Sequence, residues 1–171
     1  MNRRAFLATG TVLAGAALYG GRTAAATGKS AATGKSKAPS RAAAVAVAWA
    51  RARTGLPYLY GGTGPDAFDC SGLAMMAYRA ARITIPRTSE EQWAAGPQVT
   101  DPQPGDLVFF PGGDGTWQAP GHVAIVAGPG RIVQAYAPGV PIGTYPYGVP
   151  SALDGTGPGT VIGYTRPWAG T

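Results

Sequence analysis

Along the chain, the spacing of apolar positions changes from helical to extended a little past the midpoint, after Gly96. Residues 41–55, RAAAVAVAWARARTG, are alanine-rich, end in arginines and stop at Gly55, which predicts a helix with favourable charge at its C-terminus. A loop follows over LPYLYGGTGPDAFD, punctuated by Pro57, Gly61-Gly62 and Gly64-Pro65. CSGLAMMAYRAARI reads as a second helix, with Leu73, Met76, Ala77 and Ala80 recurring at helical spacing and expected to face the core. In PRTSEEQWAAG the pair Ser89 and Gln92 fits a capping box, so a short helix is expected from there to Gly96.

Beyond Gly96 the period becomes that of strands. GDLVFF (105–110), HVAIVAG (122–128), RIVQAYA (131–137) and TVIGYTR (160–166) are short β-rich runs bounded by glycine and proline. The tight GPG link between the second and third predicts an antiparallel hairpin. Residues 138–159 read as a long irregular excursion. Helices first and strands afterwards give an α+β fold, N-terminal helices packed on a mostly antiparallel β-sheet.

The N-terminal residues carry a different signal. Arg3 and Arg4 precede Phe6 and Leu7, then an apolar Ala/Leu/Val/Gly run, then TAAA, the small-residue pattern of a cleaved leader. RRAFL resembles a twin-arginine export signal, with Asn2 where Ser or Thr is usual, and cleavage is expected near Ala26. The expected organisation is an export signal over 1–26, a flexible basic linker over 27–40 and one folded domain over 41–171. Within the linker, ATGKS at 26–30 recurs at 32–36, but a phosphate-binding loop ending at Ser36 needs glycine where Lys29 stands.

Charge sharpens the division. The formal net charge is +6, yet six of the fourteen basic residues lie before residue 40, and from Ala38 onward eight arginines balance all eight acids. A basic stripe on the domain is therefore missing, and nucleic acid is excluded as a partner. The chain contains one cysteine and one histidine, which together do not make a zinc site.

That scarcity focuses the chemistry. A free cysteine is ordinarily a small core residue, but an odd one in an exported domain points to intermolecular pairing or a reactive thiol. Cys70 directly precedes a helix, where unpaired N–H groups and the helix dipole favour a thiolate. His122 opens a strand and is the available base. In the neighbouring run Ile132, Gln134 and Tyr136 share a face, and Gln134, a polar residue among apolar ones, can accept the ring N–H and fix its tautomer.

GLPYLYGGTGPDAFDCSGL, IPRTSEEQW, PGDLVFF and GHVAIVAG, in this order, resemble the NlpC family of bacterial cell-wall cysteine peptidases from about residue 42 to 137, and VIGYTRP resumes the likeness. The resemblance implies a papain-like α+β core and hydrolysis of amide bonds in peptidoglycan stem peptides, most often between D-γ-glutamate and meso-diaminopimelate or lysine. It makes Cys70 the nucleophile, reacting as half of an ion pair with the base His122. Gln134 falls where the family usually carries a second histidine or another polar orienter. Tyr58 matches the tyrosine of the family's PY pair. Asp69 and Ser71 match positions that hold the free amino end of a stem peptide in some members, although Asp69 equally fits an ordinary helix cap. Arg87 is a candidate for a substrate carboxylate or a structural ion pair, and Asp106 fits a structural turn. The expectation is a secreted, cofactor-free, monomeric enzyme without lasting membrane association once the signal is removed. An N-acetylmuramoyl-L-alanine amidase, an acyl transferase and a wall-binding domain with a decayed triad remain open alternatives.

Overall fold

The computed structural model describes residues 40–147 and 160–169. Three helices come first: α1 (Arg41–Arg51), α2 (Cys70–Ala80) and α3 (Ser89–Ala95). Six strands follow: β1 (Gln98–Val99), β2 (Leu107–Phe110), β3 (His122–Gly128), β4 (Arg131–Gln134), β5 (Gly143–Pro146) and β6 (Gly163–Thr165). They form one antiparallel sheet in the order β1-β6-β2-β3-β4-β5. The α+β expectation holds, with the helices against one face of the sheet.

Helix α1 starts where the Ser40 side chain accepts from the Ala43 N–H at 3.1 Å, and it buries Ala43, Ala46, Val47 and Ala50. In α2 the buried stripe is Leu73, Ala74, Ala77 and Tyr78; Met76 is half-buried and Ala80 is exposed, against expectation. Tyr78 explains the rotation. Its ring is among the largest fully buried side chains, and its hydroxyl bonds the Gly105 carbonyl beneath the sheet's second strand. Helix α3 begins one residue earlier in register than Ser89 and Gln92 implied. Thr88 accepts from the Glu91 N–H at 3.3 Å, and the Glu91 carboxylate accepts from the Thr88 N–H at 3.1 Å. Gln92 is buried instead, and its amide donates to the Ser71 and Pro86 carbonyls at 3.0 and 2.9 Å, pinning α3 to the first turn of α2.

The strands are shorter than their apolar runs. Gly105, at φ +98°, and Asp106 form a turn before β2, where the Asp106 carboxylate accepts from the Gln103 N–H at 2.7 Å. The β3–β4 hairpin is as expected, turning at Gly130 with φ +62°. The excursion after β4 contains β5, which pairs Gln134 with Gly143 at the open edge. Residues 148–159, and residues 1–39 where an export signal and a linker are expected, lie outside the described residues.

Both sheet faces are buried. Leu107, Phe109, Val123, Ile125 and Val133 pack with the helices, whereas Val108, Phe110, Ala124, Val126 and Ile132 form a second cluster. Burial on two faces explains why β2 and β3 read as continuous apolar runs. A charged tie crosses the structure near β2: Arg166 donates to both oxygens of the fully buried Asp106 at 2.9 and 2.8 Å. What this frame does for function is bring the start of α2 against the start of β3.

Candidate active site

Cys70 is the first residue of α2 and its cap is Asp69, held in extended backbone at φ −92° and ψ 178°. The Asp69 carboxylate is saturated. One oxygen accepts from the Gly72 N–H at 2.6 Å and from Arg87 at 3.1 Å; the other accepts from the Gly61 N–H at 2.9 Å and from Arg87 at 2.6 Å. Arg87 also donates to the Ser71 hydroxyl at 2.9 Å. Glycine at 72 is obligatory, because a Cβ there would strike the Gly62 carbonyl and lie 2.8 Å from an Asp69 oxygen. The sequence D-C-S-G is thus a cap, a nucleophile, a bridge to Arg87 and a gap for the preceding loop.

The Cys70 thiol is half-buried and its Sγ lies 4.0 Å from the Gly121 carbonyl, the residue before His122. His122, 4% exposed, begins β3 opposite Phe110 of β2. Its Nε2–H donates to Gln134 Oε1 at 2.8 Å. A carbonyl oxygen only accepts, so the proton sits on Nε2 and the lone pair on Nδ1 is available as a base. Phe110 and Tyr136 fix the ring plane with centroids 5.7 and 5.3 Å away. Strand alternation places Ile132 and Gln134 on the same face, as expected, and Gln134 is fully buried at the end of β4.

Two recesses meet at this point and share Tyr58, Cys70, Asp114 and Gly121. One, of about 250 Å³, also contains His122 and Tyr136. The other, of about 540 Å³, runs past Asp69, Ser71, Arg87 and Tyr60. All seven residues singled out from the sequence therefore converge: six line the recesses and Gln134 stands directly behind His122. Arg87 is held by Asp69 and Ser71, so the structural ion pair is present, while its partly exposed guanidinium still borders the larger recess. Asp69 is the cap that the sequence allowed. Asp114 was not anticipated; its only signal was an acid in the glycine-rich stretch before His122.

Burial governs the protonation of the pair. It pushes the Cys70 thiol up, an effect that the N–H groups of Val123 and Ser71 oppose and the Asp69 charge reinforces. It pushes His122 down to about 4, against the bond to Gln134 and the Asp114 charge. Burial therefore disfavours the charged form of each group in the free cleft, which opposes the ion pair that the resemblance implies. The physical reason is desolvation of both charged forms with only a neutral amide behind the ring. Burial likewise raises Tyr58 to about 12, keeping its hydroxyl protonated next to the thiol. Among the described residues, no group of three or more His, Cys, Asp or Glu is arranged to hold a metal ion.

A cysteine at a helix start, a histidine lining the same recess from a sheet and an amide behind the histidine define the papain-like class of cysteine hydrolases. The family model that matches, over residues 55–148, is the NlpC/P60 family, and the chain belongs to it. It is 46% identical over 81 residues to a probable endopeptidase of Corynebacterium glutamicum, an alignment covering 46% of this chain and 36% of that protein. It is 48% identical over 61 residues to a gamma-DL-glutamyl hydrolase of Bacillus subtilis, covering 33% of this chain and 14% of that protein. Among solved structures, the NlpC/p60 domain of the peptidoglycan hydrolase SagA superposes with a TM-score of 0.54 at 33% identity, over 61% of this chain and 88% of that one. The chain thus spans well under half the length of these two curated relatives.

Proposed function

We propose that this chain is an exported cysteine endopeptidase that hydrolyses the D-γ-glutamyl–diamino acid bond of peptidoglycan stem peptides. The observation that carries the proposal is the Nε2–H···Oε1 bond from His122 to Gln134, which leaves Nδ1 as a base in the recess that holds Cys70. Family membership and the γ-glutamyl specificity in the name of one relative support the bond assigned. The twin arginines, apolar run and TAAA pattern support export.

The chemistry runs as acyl transfer. Nδ1 of His122 takes the Sγ proton as the thiolate adds to the γ-glutamyl carbonyl. N–H groups at the start of α2, which the helix leaves unpaired, receive the oxyanion. The imidazolium, held at Nε2 by Gln134, returns its proton from Nδ1 to the leaving amine, and the C–N bond breaks to give a thioester. Water, deprotonated by Nδ1, then releases the acid and regenerates the thiol. Because Gln134 is neutral, the charges that favour the imidazolium are those of the thiolate or oxyanion and of Asp114.

Mass spectrometry of defined muropeptides incubated with the full chain tests this reading. The expected product is a diamino acid with a newly free α-amine and an L-alanyl-D-glutamate remnant. Release of intact stem peptides would assign an amidase instead. Sedimentation with peptidoglycan without any cleavage would assign a binding module.

A further inference from the structure

We infer that Asp114 selects the residue on the leaving side of the scissile bond, favouring a diamino acid whose side chain ends in an ammonium without a carboxylate beside it. The inference rests on the proposed function and deepens it. The acid that protonates the leaving nitrogen must stand within hydrogen-bond reach of it, so the leaving residue occupies the half of the cleft that contains His122. That half is the recess of Gly112, Gly113, Asp114, His122, Tyr136 and Pro138, and Asp114, which also borders the larger recess, is its one carboxylate and the one charged side chain beside the catalytic pair.

Asp114 is fixed in place by its loop. The Gly121 N–H donates to the Pro111 carbonyl at 2.9 Å, and the Thr116 N–H to the Ala119 carbonyl at 2.8 Å, closing residues 111–121 on themselves. Glycine at 121 lets the carboxylate lie over the backbone, since a Cβ there would sit 2.5 Å from Asp114 Oδ1. That same Gly121 carbonyl faces the Cys70 sulfur, so the charge stands beside the reacting centre. Among the described residues the Asp114 carboxylate has no ion-pair partner, unlike Asp69 and Asp106. The nearest arginine of the cleft, Arg87, belongs to the other recess and is engaged by Asp69. A carboxylate on the leaving residue would therefore meet repulsion and no cation, whereas an ammonium would meet Asp114. The field of Asp114 also acts on His122 and Tyr58 in the direction expected of a nearby negative charge.

The test compares kcat/KM of the full chain for L-Ala-γ-D-Glu-L-Lys, its Nε-acetyl-lysine analogue and the meso-diaminopimelate analogue. The lysine peptide should lead the other two by about 3- to 5-fold, the scale of a partly exposed ion pair. Asp114→Asn should bring the lysine to acetyl-lysine ratio near one, and Asp114→Glu should retain it. In the wild type the ratio should shrink as salt rises from about 20 mM to about 0.5 M. An unchanged ratio in Asp114→Asn, or a preference for the diaminopimelate peptide, overturns the inference. Should Asp114→Asn lose all turnover, a salt-independent wild-type ratio overturns it by itself. Equal cleavage of all three peptides leaves the proposed function standing and removes this role for Asp114. Failure to cleave any of them at the γ-glutamyl bond overturns the function and the inference with it.

Discussion

The nucleophile and the base enter the cleft on supports of opposite kind. Cys70 stands on a network in which one carboxylate, Asp69, binds two backbone N–H groups and the two terminal guanidinium nitrogens of Arg87, and Arg87 in turn holds Ser71. Loss of any one bond leaves the others to define the helix start. Among the described residues the His122 ring has one hydrogen bond, to Gln134 Oε1, beside ring contacts with Phe110 and Tyr136 and the charge of Asp114. The other end of the Gln134 amide, its NH₂, is buried without a hydrogen-bond partner among the described residues. The nucleophile side is tied by several bonds that include an ion pair; the base side is tied by one, to a neutral amide. Damage to the first should register mainly as lost stability, and damage to the second as lost rate.

The largest effects should come from the reacting groups themselves. Cys70→Ala and His122→Ala should each lower kcat on a muropeptide by ~10³-fold or more, with thermal stability little changed for the cysteine variant. Gln134→Ala should follow, with kcat down by ~10²-fold and KM nearly constant, because the ring loses its orientation but not its base. A loss as complete as that of His122→Ala would show that Gln134 does more than orient. Gln134→Glu places an anion behind the ring. It should raise the His122 pKa and move the acidic limb of the kcat profile to higher pH, an outcome that a purely structural glutamine would not produce.

The nucleophile side gives the converse pattern. Asp69→Ala leaves Arg87 unpaired and two backbone donors unbonded, which should cost on the order of 2–3 kcal/mol in denaturant unfolding. Asp69→Asn keeps an acceptor for the cap and should cost about 1 kcal/mol. If Asp69→Asn costs as much as Asp69→Ala, the ion pair with Arg87 outweighs the cap. If neither destabilises the protein, the contrast between the two supports fails.

How much of this was legible before the structure depended on what makes a residue legible. Cys70 and His122 stood out because each is the sole residue of its type, and Gln134 because a polar side chain in a strand of period two has to find a partner. The order of helices and strands followed from apolar spacing. The phase of α2 did not, since Ala, Met and Leu around the helix leave several stripes equally apolar until Tyr78 finds the Gly105 carbonyl. The cap of α3 slipped by one because Thr88 and Ser89 both precede a suitable partner, and only tertiary bonding of Gln92 decides between them. Strand β5 was hidden by the glycines and prolines around it and exists through its pairing with β4. Asp114 had no periodic context, and its role comes from loop closure over Gly121. The opposite shifts of Cys70 and His122 were also illegible, because desolvation depends on what covers a residue and not on its neighbours in the chain.

That last feature carries the subtlest consequence, which concerns stability and not rate. In the unfolded chain His122 titrates near its ordinary value, about 6.5, whereas burial in the fold holds it down to about 4. Between those values the unfolded state binds a proton that the folded state refuses, so stability rises with pH across this window and falls on acidification. Below about 4 both states are protonated and this contribution is gone, for a total on the order of 3 kcal/mol. Unfolding midpoints measured from pH 7 to pH 4 should therefore decline more steeply in the wild type than in His122→Gln, which has no proton to gain. An anionic partner in Gln134→Glu should flatten the decline by raising the folded value toward the unfolded one. Parallel midpoints for the wild type and His122→Gln across the window would show that the imidazole is hydrated in the fold. The base side of the cleft would then no longer be the desolvated counterpart of the charged network around Asp69.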